Sequence, residues 1–205
     1  MRVNQQIAVR PLTKNDGGAF YAAVRESIDS LAYWLPWCTP EYSSADAEEW
    51  VAYCEEAWRT QTEFPLGIFD VHTGKVIGGT GINHITQAYR IGNIGYWVGT
   101  PHNGRGVAKA AALMAADIGF KELELTRLEI IVLLHNAASH RVASTIGAKM
   151  ECNARNRLYF NGAAEDATVY SLVPKDIQAL PDLQQIRREV VANQSYMDSP
   201  STARS

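Results

Sequence analysis

The chain has 205 residues, of which 46% are apolar and 20% charged, and 19 Lys+Arg against 22 Asp+Glu give a net charge of -3. This length and composition describe one globular domain with an appendage and exclude disorder over most of the chain. The slight acidity argues against a protein built to grip nucleic acid, and no apolar run approaches the roughly 18 residues of a membrane-spanning helix.

Residues 1–12 lack the apolar stretch of a secretory signal, and Cys38, Cys54 and Cys152 are far apart and odd in number. That is the pattern of free thiols in a reducing compartment, so a soluble, cytoplasmic protein is expected. Residues 7–12 alternate and predict a strand. Thr13 followed by Asp16 opens a helix that reaches about residue 33. Residues 33–40 contain Pro36 and Pro40 and form a loop, after which Ser43 with Asp46 opens a second helix to about residue 59. Two short β-rich runs, 64–71 and 76–84, are joined through His72-Thr73-Gly74-Lys75 as a hairpin, and a third run spans 93–98.

A glycine-rich turn, His102-Asn103-Gly104-Arg105-Gly106, then leads into an Ala-rich helix to about residue 120, with Val107, Ala111, Met114 and Ile118 on one face. Residues 128–134 are nearly all apolar and predict a strand buried on both faces. A short helix over 136–146 stops at Gly147, and two strands flank the hairpin signal Asn161-Gly162. Beyond Pro174 a helix around 177–191 and a polar, disordered tail from 193 are expected. The domain is therefore assigned to residues 1–175 and a C-terminal helix and tail to 176–205. The element order predicts an α/β protein with a mixed sheet and helices on its faces.

The strand, turn and helix over 95–116 carry the most chemistry. Gly104 and Gly106 let a ligand approach the backbone, and the following helix begins with unpaired N–H groups at the positive end of its dipole. Together they suit a diphosphate, with Arg105 and Asn103 as added donors. A Walker loop is excluded because Gly-Lys-Ser/Thr is absent, and a dinucleotide fingerprint because Lys109 stands at its third glycine. The turn alone leaves two readings, the pyrophosphate loop of an acetyl-coenzyme A enzyme and a tight turn without a ligand.

Gly95-Tyr96-Trp97-Val98, Asn103 to Ala108, Leu128-Glu129, Asn136-x-x-Ser139 and Gly147, in that order, resemble the GNAT acetyltransferases. The closing Phe160-x-Gly162-x-x-x-Asp166-x-x-x-Tyr170-x-Leu172 is similar to the Rim-type branch, which acetylates protein N-termini at serine or alanine. The resemblance covers about residues 7–173 and implies a central, mostly antiparallel sheet of about seven strands with helices on both faces. It implies that Asn103, Gly104, Arg105, Gly106, Val107 and Ala108 hold the pyrophosphate of acetyl-CoA, with Asn103 replacing the usual Gln or Arg. It places Trp97 and Val98 on a splayed strand along the pantetheine arm, the backbone N–H near Val98 at the thioester oxygen, and Asn136 against the cofactor arm.

Acetyl transfer to an amine needs a neutral amine, donors for the oxyanion and a proton for the leaving thiolate. Where many GNAT enzymes carry a tyrosine acid this chain has Val142, and the Rim-type likeness points instead to Ser139, directly or through water. The residues themselves equally permit Ser139 as a helix-capping serine. The glutamate frequent before Ile-Gly-Tyr-Trp is Asn93 here, and a second family position aligns with Leu158. Losing a general base costs typically 10²–10⁴-fold without abolishing activity. An α-amine with a pKa near 7.7–8.0 suffers less from that loss than a lysine near 10.4. His84 is the candidate replacement base or else a surface histidine, with Glu41 and Glu151 as weaker candidates.

Trp34 and Trp37 flank the Pro-bent loop and either wall the acceptor pocket or fill core. His135 and His140 lie five apart and do not form a metal pair, so no metal is expected. The leading expectation is an acetyl-CoA-dependent N-acetyltransferase acting on a protein or peptide N-terminal α-amine by direct attack in a ternary complex. A small amine such as an amino acid, antibiotic or toxin is the alternative acceptor, and a catalytically silent acyl-CoA-binding module the alternative from another class. Nucleic-acid and membrane partners are not expected, and a homodimer is implied only by the family resemblance, since nothing in the residues themselves calls for one.

Overall fold

The computed structural model describes residues 6–178 and 180. Seven strands, β1 (Ile7–Arg10), β2 (Phe64–Asp70), β3 (Val76–Thr86), β4 (Ile91–Val98), β5 (Arg127–Leu133), β6 (Lys149–Phe160) and β7 (Ala163–Leu172), form one sheet in the order β1-β2-β3-β4-β5-β7-β6. All neighbours are antiparallel except β4 and β5, which run parallel. The β6–β7 turn falls at Asn161-Gly162, where both residues have positive φ (47° and 82°), the backbone that this pair adopts at low cost.

On one face lie α4 (Val107–Lys121) and α5 (Ala137–Thr145). Alanine at six positions of α4 lets it sit close to the sheet, and its residues 110–116 are all buried over Ile68, Ile82, Ile94 and Leu128. The other face carries α1 (Gly17–Glu26), α2 (Ile28–Trp34) and α3 (Ser44–Thr60), which enclose a second core around Phe20, Val24, Val51, Cys54 and Phe69. Both N-terminal start signals form as capping boxes, Thr13 with Asp16 and Ser43 with Asp46.

The single helix expected up to residue 33 is instead a 3-10 turn (Lys14–Asp16) followed by α1 and α2. The break is at Ser27, almost fully buried, whose hydroxyl accepts the Thr100 N–H at 2.9 Å. A tertiary bond at the foot of the glycine-rich turn thus outweighs local helix propensity there.

The strand expected to be buried on both faces also differs. Leu128, Ile130 and Val132 of β5 are buried, but Arg127, Glu129 and Ile131 are half-exposed. Ile131 owes its apolar character to lining a cavity rather than to a second covering layer. After β7 a short helix, α6 (Pro174–Gln178), begins and buries Ile177 in the main core. The expected C-terminal helix beyond 180 and the polar tail lie outside the described residues.

Candidate active site

The parallel β4–β5 pairing lasts only three residues, from Ile91–Arg127 to Asn93–Glu129. From Ile94 onward β4 stays on β3, and from Ile130 onward β5 stays on β7, so a wedge opens between them. A cavity of ≈ 780 Å³ fills this wedge and is lined by both diverging strands, by residues 102–104 and 106–109, and by α5. The Gly99 N–H bonds the Ile77 carbonyl on β3. Strand alternation therefore turns the backbone groups of Val98 to the opposite edge, into the wedge.

Gly104 and Gly106 both hold left-handed backbone (φ 73° and 84°), which swings the chain from the short turn Thr100–His102 into α4. Gly106 is the N-cap of α4, no side-chain cap forms at that end among the described residues, and its first turn has no acidic residue. Asn103, Gly104, Gly106, Val107 and Ala108 line the cavity, so the bare amides of this turn are available to an anion. Arg105 is not among the lining residues, while Lys109 and Arg141 are.

Across the cavity, Asn136 is the N-cap of α5, its side-chain oxygen accepting the Ser139 N–H at 3.0 Å. Asn136 therefore offers the cavity its amide NH₂, and the Ser139 hydroxyl is not used for capping. Tyr96 lines the cavity too, and its hydroxyl donates to the Ser139 carbonyl at 3.2 Å. Burial pushes the Tyr96 phenol up to about 12, so it stays protonated and fixes the first turn of α5. The sequence marked Tyr96 only as part of a motif; its reach to a residue 43 positions later needs the folded sheet. Val142, one helical turn beyond Ser139, lines the same wall.

At the β3 edge of the cavity, His84 lines it from a point where β3 loses register with β4, at φ 50°. Such a bulge re-aims the side chain. Asn93 donates to Asn83 at 2.8 Å, and the Asn93 side-chain oxygen is buried without a hydrogen-bond partner among the described residues. Trp34 lines the cavity and stacks on His135 and Phe160, whereas Trp37 lies outside it, beside Trp50 and Trp97 in a second cavity. Of the weaker base candidates, Glu151 is paired with Arg127 at 2.6 and 2.8 Å, which pulls it down to about 2, and neither Glu151 nor Glu41 lines the cavity. No carboxylate lines the large cavity among the described residues.

A strand edge left open beside uncapped helix amides matches a long pantetheine arm that ends in a pyrophosphate, which is the ligand problem an acetyl-CoA-dependent N-acetyltransferase solves. The Acetyltransferase (GNAT) domain family matches residues 6–149, and the chain belongs to this family. YdaF of Bacillus subtilis (strain 168), provisionally named a ribosomal N-acetyltransferase, is 30% identical over 177 residues, 85% of this chain and 95% of YdaF. A Vibrio cholerae structure, provisionally described as a ribosomal-protein-serine acetyltransferase, matches at TM-score 0.72 and 28% identity, covering 84% of this chain and 96% of that one. Mycobacterium smegmatis RimJ, solved with a CoA-disulfide, matches at TM-score 0.73 and 25% identity over 92% of this chain and 89% of its own. The likeness is thus to the Rim-type branch of the family.

Proposed function

We propose that the chain moves the acetyl group of acetyl-CoA to the α-amine of a protein or peptide N-terminus, by direct attack in a ternary complex. Residues 103–108 hold the pyrophosphate, and the Asn136 amide steadies the pantetheine arm. The amine nitrogen attacks the thioester carbon, and the Val98 N–H donates to the oxygen as it gains charge. The carbon–sulfur bond then breaks, the departing sulfur takes a proton through the Ser139 hydroxyl, which is itself re-protonated by water, and the nitrogen gives up its proton to His84 or to water.

The observation that carries the α-amine reading is that no carboxylate lines the large cavity among the described residues, and that Asn93, at the position where a base is wanted, is an amide bonded to Asn83. Such a site works on amines that are already partly neutral. The relatives named for ribosomal acetylation support a ribosomal-protein acceptor and a cytoplasmic location. The exposed edge strand β6 offers a surface for a homodimer.

The test compares a serine-initiated peptide with an Nα-blocked lysine peptide at pH 7. From the neutral fractions of the two amines, the first is favoured by about two orders of magnitude in kcat/KM, and its rate levels off near pH 8. Equal rates for the two peptides would overturn the α-amine reading.

A further inference from the structure

A second cavity, of ≈ 240 Å³, lies on the other face of β4 and has no part in the chemistry above. Its floor is bare backbone, because Gly81 and Gly95 face each other across β3 and β4 and Gly79 pairs with Trp97. Two of the three leave no room for a side chain: a Cβ at Gly81 meets the Phe64 carbonyl oxygen at 2.8 Å and one at Gly79 the Trp97 indole nitrogen at 2.5 Å, whereas one at Gly95 meets only the Asn83 amide nitrogen at 4.0 Å.

The walls are indoles. Trp37 and Trp50 lie parallel within 3° at 6.5 Å between centroids, and Trp37 meets Trp97 tilted by 64° at 6.2 Å. An aromatic cluster that only filled core would be covered, yet Trp37 is 45% and Trp50 39% exposed. Glu63 lines the same cavity. It directly precedes β2, one position beyond the Phe64–Ile82 pair and so alongside Asn83. The Tyr53 hydroxyl donates to its carboxylate at 2.8 Å, and no Lys, Arg or His pairs with it among the described residues. Open indole faces beside a carboxylate lacking a cation form a receptor for an organic cation. Leu35, Gly95, Tyr96 and Trp97 line both cavities, so a group held here belongs to the molecule whose amine enters the wedge.

We infer that this cavity is an acceptor-recognition subsite for a positively charged side chain, lysine or arginine, close behind the N-terminal residue that is acetylated. The inference rests on the α-amine reading and assigns Glu63, Trp37, Trp50 and Trp97 to selecting the acceptor. The negative carboxylate and the indole faces attract the cation; none of these residues takes part in a bond change.

The experiment uses serine-initiated hexapeptides with Arg, Gln, Glu or Phe at the second or the third position. The Arg peptide is expected to show a KM about tenfold below that of the Gln peptide, with similar kcat, and the Glu peptide to be the poorest. Glu63→Gln brings the Arg peptide down to the level of the Gln peptide while acetyl-CoA still raises the Tm of the variant. Trp50→Leu, on the exposed rim, repeats that loss by a change distant from the charge. As a readout independent of acetyl transfer, the Nα-acetylated Arg peptide quenches tryptophan fluorescence in the wild type at concentrations where Glu63→Gln shows no quenching. Peptides acetylated with no preference for Arg over Gln, or with Phe preferred over Arg, overturn the subsite and leave the α-amine reading standing. If no peptide is acetylated but the Arg peptide still binds in a Glu63-dependent manner, the α-amine reading falls and the cation subsite stands.

Discussion

Gly104→Asp is expected to lose nearly all of the thermal stabilisation that acetyl-CoA confers, while Gly104→Asn keeps most of it. At ligand 100-fold above Kd, linkage gives the wild type about 2.7 kcal/mol. At roughly 2–4 °C per kcal/mol for a chain of this size, Tm rises by about 5–11 °C. Gly104 sits at φ 73°, and nothing lies within 4 Å of where its Cβ would be, so a side chain meets backbone strain but no clash. Asp and Asn tolerate this left-handed backbone better than other residues and have nearly the same shape, so both variants carry a similar folding cost. Only Asp places a negative charge beside the uncapped amides of α4, where the pyrophosphate is proposed to sit. Two like charges about 4–6 Å apart repel by roughly 3–4 kcal/mol at an effective dielectric near 20, enough to raise Kd more than 100-fold. At the same ligand concentration the remaining stabilisation is about 0.4 kcal/mol or less, a rise below about 2 °C. Differential scanning fluorimetry on the three proteins decides the matter. A full shift in Gly104→Asp would place the pyrophosphate away from this turn.

What could be read from the sequence follows from which constraints are local. The turn at Asn161-Gly162, the capping boxes at Thr13 and Ser43, and the glycine entry to α4 each depend on a few neighbouring residues, and the structure has all of them where expected. The wedge is different. It exists because the β4–β5 register ends at Asn93–Glu129, and a pairing that stops is invisible to strand periodicity. The same blindness made β5 read as doubly buried, since a strand lining an apolar cavity has the composition of one lining a core. Ser27 was hidden by an ordinary helical pattern, because what breaks the helix is a bond to Thr100, 73 residues away. For Trp37 the sequence leaves an acceptor wall and a core position equally open, and the fold sets it in the second cavity, against Trp50 on α3 and Trp97 on β4. Glu63 carried no signal at all. It gains a meaning only when the sheet lays it beside Asn83, on the row of Asn93.

Ser139→Ala is expected to lower kcat about a hundredfold while the KM for acetyl-CoA and the acetyl-CoA-induced rise in Tm stay close to those of the wild type. The expectation starts from a division of labour in α5. Asn136 caps the helix by accepting the Ser139 N–H, so deleting the serine hydroxyl removes no cap and costs the fold little. The protonated Tyr96 phenol bonds the Ser139 carbonyl, a backbone group that alanine also has, so the first turn keeps its place against β4. What alanine lacks is the hydroxyl proton on the cavity wall. Without it the thiolate leaves unprotonated, and loss of general acid assistance costs typically 10²–10⁴-fold. The lower end applies here because water can enter a half-exposed site and supply part of the proton. Ser139→Thr, which restores a hydroxyl at the same position, recovers much of the lost rate if the proton is what matters. Following thiol release with a serine-initiated peptide as acceptor reads this directly. An unchanged kcat in Ser139→Ala would move the acid role to another group on the same wall, and a fall confined to the KM for acetyl-CoA would make Ser139 a binding residue. The combination of lost turnover, retained cofactor binding and rescue by threonine is what distinguishes a proton donor from a serine that merely begins a helix.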